Sequence, residues 1–214
     1  MKPAQTEVLR KLTDPSGSVR SKTLKSLANA RGRWFKSEEE MKVLFESLFR
    51  TYWMADSSLQ KATLQGIVTT LEDIASCTEG HVTYRLFWEV LNNNWPGIDR
   101  FRLNKYYSLV EAILLQLNGE DLLVTSTFTV KRMSEVKRPS GLVIRLSELI
   151  LRRIQDDKTD DTIRGALCVH VIEMIAKFPL LPSFGSVADV VAEFATSHPD
   201  SIEGIKKATV DTLG

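Results

Sequence analysis

Two cysteines in 214 residues, Cys77 and Cys168, are too few and too far apart for a disulfide framework or a thiolate zinc site. Both are expected to be reduced and mostly buried. The three histidines, His81, His170 and His198, are scattered as well. No apolar run reaches the ~18–20 residues needed to cross a bilayer. The opening Met-Lys-Pro-Ala-Gln-Thr-Glu lacks the apolar core of a signal peptide. The expectation is an intracellular protein with no membrane contact.

Catalytic signatures are equally scarce. The chain has no phosphate loop, no GxGxxG following a strand, no GxSxG and no HExxH. Carboxylate pairs occur at Glu72-Asp73, Asp156-Asp157 and Asp160-Asp161. Neighbours on a helix diverge by about 100°, so these read as solvated helix ends rather than acid–base pairs. His170 lies in an apolar helical run and reads as a satisfied core residue. No catalytic residue, metal ligand, cofactor or small-molecule substrate is therefore assigned, and the chain is read as a non-enzyme. Triads assemble across distant sequence, so an enzyme with an unrecognised site stands as a rival. It would require a deep pocket with convergent titratable groups.

No charge of one sign dominates, since the net charge is +1. The distribution is uneven. Residues 1–36 hold nine Lys/Arg against two Asp/Glu, and 100–153 hold ten against five. Residues 37–99 hold four against ten, and 154–214 five against ten. Alternating blocks of this kind either offer basic and acidic faces to different partners or make a salt-bridged surface.

What is present is helical periodicity. Met41, Leu44, Phe45, Leu48, Phe49 and Tyr52 follow the spacing of one buried helix face. Ser37 and Glu40 form a capping-box pattern that starts this helix. Two short helices precede it, near Pro3–Leu12 and Ser18–Ala28. Asp56 is placed to cap a helix bearing Leu59, Leu64, Ile67 and Leu71, and Gly80 to open one ended by the run Asn92–Gly97. A long helix through Leu103, Tyr107, Val110 and Leu117 follows, with Asn118-Gly119 as its C-cap. Thr125–Val130 has strand-like composition, but with no neighbouring strand to pair with, a helix from Asp121 is preferred. Further helices are expected over Leu142–Ile154, from Asp160 or Asp161 to Ile175, and near 186–196 and 200–212, with a Phe178–Pro182 loop between.

Asp14, Asp56 and Asp99 each precede similarly spaced apolar positions, and they lie 42 and 43 residues apart. That interval matches the ~40–47-residue unit of HEAT and armadillo arrays. Asp14-Pro15 followed by Val19-Arg20 also looks like the start of the second helix of a HEAT unit. The fold expected is all-α, a helical-hairpin array of about ten helices resembling a HEAT/armadillo α-solenoid, in one domain over 1–214. An irregular helical bundle is the alternative.

The stretch 84–110 concentrates aromatics and cations. Tyr84, Phe87, Trp88 and Trp95 precede Ile98-Asp99-Arg100-Phe101-Arg102-Leu103, and Lys105, Tyr106 and Tyr107 follow. Leu103, Tyr106, Tyr107 and Val110 form a buried stripe, with Arg102 and Lys105 expected away from it. Trp88 and Trp95 are expected to pack a corner between helices, and Asp99 to cap a helix and pair with Arg100 or Arg102. Arg102 and Lys105 either meet RNA phosphate or an acidic partner, or are solvated.

These residues resemble a known family. Phe87-Trp88-Glu89 with Asn94-Trp95-Pro96-Gly97-Ile98-Asp99-Arg100-Phe101-Arg102-Leu103-Asn104-Lys105-Tyr106-Tyr107 is similar to the FW…W.GIDR.RLDK.Y hallmark of the eukaryotic nucleolar ribosomal RNA processing protein 1 family. Leu44 to Asp56 resembles its L…LFYCMWMSDK segment, and Arg20 to Leu27 its R..ALKSL segment. The likeness spans about 10–117, and residues 118–214 share helical character only. Pro96 stands where an Asn or similar residue is usual, and Asn104 where Asp is common.

The resemblance implies a non-catalytic assembly factor of the large (60S) ribosomal subunit precursor. Such a protein acts in the nucleus and nucleolus and supports pre-rRNA processing by docking on pre-ribosomal RNA and other assembly factors. Candidate RNA or partner contacts are Arg20, Lys22, Lys25, Arg31, Arg33, Arg100, Arg102 and Lys105. Trp53, Asp56, Trp88, Trp95, Gly97 and Asp99 form the structural signature. The rival reading is a HEAT-like adaptor that binds peptides or protein helices and has no tie to ribosomes.

Overall fold

The computed structural model describes residues 2–28, 35–78, 80–133, 141–156 and 159–177, with 189, 192–194 and 196–197 near the C-terminus. Among them the elements are α1 (Pro3–Leu12), α2 (Gly17–Leu27), α3 (Glu38–Trp53), α4 (Ser57–Cys77) and α5 (Gly80–Asn94). A 3-10 turn (Trp95–Gly97) follows, then α6 (Leu103–Leu114), α7 (Gly119–Met133), α8 (Gly141–Ile154) and α9 (Asp161–Lys177). No strand occurs among the described residues, and the fold is an all-α helical array. None of these helices is long and apolar enough to cross a membrane. The loop expected at Phe178–Pro182 and most of the two C-terminal helices lie outside the described residues. The chain divides into two compact units, 1–116 and 117–214.

In the first unit α3 is the central element. Its six periodic apolar residues are all buried, and Glu38, Glu39 and Glu40 occupy the first turn, where the helix dipole favours negative charge. Ser37 Oγ accepts from Glu40 N–H at 3.2 Å, and the Glu40 carboxylate accepts from Lys36 N–H at 3.0 Å. Against α5, Phe45 meets Phe87 edge-on at 5.4 Å. Lys42–Glu89, Arg85–Glu38 and Asn94–Glu46 contacts flank that seam.

Against α1, Thr51 Oγ1 donates to Leu12 O at 2.7 Å, capping the end of that helix. The approach of α2 to α4 is close enough that glycine matters. A Cβ on Gly66 would lie 2.6 Å from Leu24 Cδ2. The Asp56 carboxylate caps α4 through Leu59 N–H at 3.0 Å, as the sequence predicts.

The end of α5 departs from expectation. The asparagine run stays helical through Asn94, whose side-chain amide donates to both Val90 O and the Glu46 carboxylate. Satisfied there, it need not break the helix, and Trp95-Pro96-Gly97 makes the turn instead. The end of α6 also differs. The helix stops at Leu114, and Asn118 belongs to the next one, its Oδ1 accepting from Asp121 N–H at 2.8 Å. An asparagine side chain between two helices can serve either end, and here it caps the following one.

In the second unit, Thr125–Val130 is helical within α7. Asp160 caps α9 through Thr162 and Ile163 N–H. Arg164, buried, donates to Ile154 O at the end of α8 and to Asp161. His170 lies between two hydroxyls, with Nδ1 2.6 Å from Ser126 Oγ and Nε2 3.3 Å from Thr127 Oγ1. Burial lowers its pKa. Ser126 is fully buried and Thr127 exposed, and their contacts with His170 tie α7 to α9.

Cys168 is buried, but Cys77 is exposed, contrary to the expectation that both would be inside. The residue sits in the last turn of α4.

Candidate functional site

Helix α3 ends in Arg50-Thr51-Tyr52-Trp53, and the last carbonyls of any helix lack intrahelical partners. Here they draw cations from two other elements. Arg20, on α2, is only 7% exposed. Its guanidinium donates to Met54 O at 3.0 Å, and to Asp14 O and Pro15 O at 2.7 and 2.8 Å. Lys105, on α6, sends its ammonium to Ala55 O at 2.5 Å and Trp53 O at 3.3 Å, with the Tyr52 ring centroid 4.9 Å away. The guanidinium of Arg102 lies 4.6 Å from the centroid of Trp53 and is paired with Asp99. Positive charge at a helix C-terminus opposes the negative end of its dipole, which favours each of these placements.

Aromatic rings complete the junction. Tyr106 is fully buried, 4.7 Å from Phe49 and 5.4 Å from Tyr52, and its hydroxyl donates to Phe49 O at 2.9 Å. The Tyr52 hydroxyl donates to Lys105 O at 3.1 Å. Burial pushes the Tyr52 phenol up to about 12 and Tyr106 higher still. Lys105 is pushed down to about 8, chiefly by burial and then by Arg102, with the Asp56 carboxylate opposing. The three resembling segments, 20–27, 44–56 and 87–107, therefore meet around one helix end.

This geometry sorts the candidate cations. Arg20 and Lys105 are occupied by carbonyls, and Lys105 is half-buried against α3 rather than turned away from the core as the helical spacing suggested. Arg102 is held by Trp53 and Asp99 yet keeps part of its surface in solvent. Lys22, Lys25 and Arg100 are exposed. Arg31 and Arg33 lie outside the described residues.

Among the signature residues, Trp88 and Trp95 are buried, and Trp95 packs 5.5 Å from the Tyr107 ring. Asp99 accepts from Phe101 and Arg102 N–H, so it caps the turn that leads into α6. Its contacts with Arg102 hold its carboxyl below the usual range against the opposing effect of desolvation. Gly97 is exposed, and a Cβ there would meet nothing within 4 Å.

One exposed residue of the family run was assigned no role from the sequence. Phe101 is 81% exposed, and the guanidinium of Arg100 lies 4.8 Å from its ring centroid. Helical spacing sets it off the buried stripe, which was the available signal.

Elsewhere, a groove of about 470 Å³ runs between α1 and α2, with Ala4, Val8, Val19 and Leu27 among its lining residues and Lys11 and Lys22 beside them. Among the described residues no three or more His, Cys, Asp or Glu side chains converge as metal ligands would.

The chain matches the family model described as "Nucleolar protein, Nop52" over residues 3–175. It is 28% identical over 154 residues to human ribosomal RNA processing protein 1 homolog B, covering 66% of this chain and 20% of that protein. It is 31% identical over 114 residues to human homolog A, covering 50% of this chain and 24% of that protein. The mouse homolog A is 36% identical over 81 residues, covering 37% of this chain and 16% of that protein. The matched stretches thus amount to a quarter or less of these relatives' lengths. The family match runs well past residue 117, through α7, α8 and most of α9. With 3–175 matched, and with the three signature segments folded around one helix end, the chain belongs to the Nop52 family of nucleolar proteins.

Proposed function

We propose that this chain is a non-catalytic factor in nucleolar assembly of the large ribosomal subunit, supporting pre-rRNA processing by holding RNA and other assembly factors. The observation that carries the reading is the Nop52 family match over 3–175, joined by relatives named for ribosomal RNA processing. Cations that the fold leaves at the surface, Lys22, Lys25 and Arg100, are the proposed contacts with RNA phosphates or acidic partners. Arg102 contributes through its exposed edge. Arg20 and Lys105 act by building the junction from which these contacts project.

Affinity purification of the tagged chain from eukaryotic cells, with mass spectrometry and hybridisation to spacer RNA, tests this. Large-subunit precursor proteins and spacer-containing pre-rRNA should be enriched, and the tagged chain should concentrate in nucleoli. Recovery of small-subunit precursors alone, or of no precursor RNA, would overturn it. The groove between α1 and α2 favours the adaptor reading as the second possibility. In that case protein partners would be recovered without precursor particles, and substitutions in the groove would release them.

A further inference from the structure

We infer that Phe101 and Arg100 form a stacking platform for one unpaired nucleotide of single-stranded RNA. The base lies on the phenyl ring, and an adjacent phosphate meets the guanidinium. The inference rests on the reading of the chain as a factor that docks on pre-ribosomal RNA, and it names a residue and a contact chemistry for that docking.

The turn carrying Phe101 is held from several sides. Ile98 N–H donates to Trp95 O, and Arg102 N–H to Asp99 O, both at 3.1 Å. The Asp99 carboxylate accepts from Phe101 N–H at 3.0 Å and from Arg102 N–H at 3.1 Å. Arg102 is anchored on Trp53 and paired with Asp99. Phe101 is nonetheless directed into solvent at 81% exposure, with Arg100 against its ring. A rigid support that presents a large aromatic outward is a preorganised contact, since little ordering remains to be done on binding.

The charge favours RNA over a protein pocket. Asp99 is the only acid between Ile98 and Tyr107, and its carboxylate is engaged by Arg102 and two backbone amides. Arg100 stays exposed. Phe101 is the most exposed of the large hydrophobic side chains described, and the other two, Val43 and Leu115, lie on α3 and just beyond α6. The tip is therefore one aromatic ring with a cation on it, flanked by exposed Asn104. Stacking on an aromatic ring combined with a backbone-seeking cation is how single strands are held without base-edge readout. Exposed Gly97, with open space about its α-carbon, leaves the neighbouring backbone bare to the incoming strand.

The test uses the full chain and a short oligouridylate carrying one 2-aminopurine, with wild type, Phe101→Ala, Phe101→Trp and Arg100→Ala. Stacking should quench the 2-aminopurine. Phe101→Ala should weaken binding about tenfold and abolish the quench, whereas Phe101→Trp should retain both. Arg100→Ala should lower the slope of log affinity against log salt by about 0.7. Circular dichroism should be unchanged throughout, because neither side chain is buried.

Equal binding by wild type and Phe101→Ala, or no binding by wild type, would overturn the inference. So would a Phe101→Ala variant that keeps the oligonucleotide but loses ribonuclease-resistant association with assembly factors, which would assign the tip to a protein. Wild type that enriches precursor particles while Phe101→Ala leaves oligonucleotide binding intact refutes the platform alone. Platform binding without particle enrichment would instead refute the proposed function.

Discussion

The ammonium of Lys105 donates to Ala55 O at 2.5 Å, joining the start of α6 to the chain just past the end of α3 across 50 residues. Arg20 reaches the same end from α2 through Met54 O. Two cations that the sequence offers as RNA contacts thus hold the ends of helices together, and their substitution reads out first as stability.

Arg20→Ala should destabilise the chain by about 3 kcal/mol, because a buried cation's hydrogen bonds to three carbonyls are lost and those acceptors are left behind. Arg20→Lys should recover only part of this, since an ammonium cannot reproduce the planar fork. Urea denaturation measures both. A midpoint unchanged in Arg20→Ala would mean that the carbonyls are served by water.

Lys105 gives the stability curve a slope in alkali. Its pKa is about 8 in the fold against an ordinary 10.5. Between those values the unfolded chain binds the extra proton, so stability rises with pH from 8 towards 10.5 and is lost as pH falls through 8. Tyr52 acts oppositely above pH 10, because its phenol is raised to about 12 and the unfolded chain releases the proton first. Comparing wild type with Lys105→Met by denaturation at pH 7.5, 9 and 10 isolates the lysine. Its contribution should grow with pH, and a difference independent of pH would contradict the shift.

Gly66→Ala should destabilise despite the ~1 kcal/mol that alanine ordinarily gains over glycine inside a helix. The new methyl would fall 2.6 Å from Leu24 Cδ2, in the seam between α2 and α4. Thermal melting should show a lower Tm. In Gly66→Ala/Leu24→Ala the methyl has room, so the effect of the glycine substitution should shrink or reverse. A raised Tm in the single variant would mean that Leu24 yields easily.

The two thiols should separate on labelling. Cys77 is exposed and Cys168 is buried, with its thiol pushed up to about 12 by burial. A disulfide reagent at pH 8 should modify Cys77 quickly in the native chain and Cys168 only on unfolding. Cys77→Ser should abolish the fast phase. Fast modification of Cys168 would show that the packing among α7, α8 and α9 opens readily.

The sequence alone determined most of the elements. Apolar spacing along α3 marked a face that the structure buries residue for residue, and Asp56 announced the helix it caps, while the choice between Asp160 and Asp161 fell to Asp160 in the structure. Such signals are local, because periodicity and capping depend on residues within a turn or two. The family resemblance was also legible, from segments far apart in the chain. Asn118 was less legible, since a side chain between two helices can cap either and only the backbone path decides. Which cations serve the fold was decided by tertiary structure alone. Nothing near Arg20 or Lys105 in sequence reveals that the open end of α3 lies within reach, and a helix end takes its partner from whatever element packs against it. The same packing secures Arg102 on Trp53 and Asp99 and leaves Phe101 beside it 81% exposed, with Arg100 against its ring.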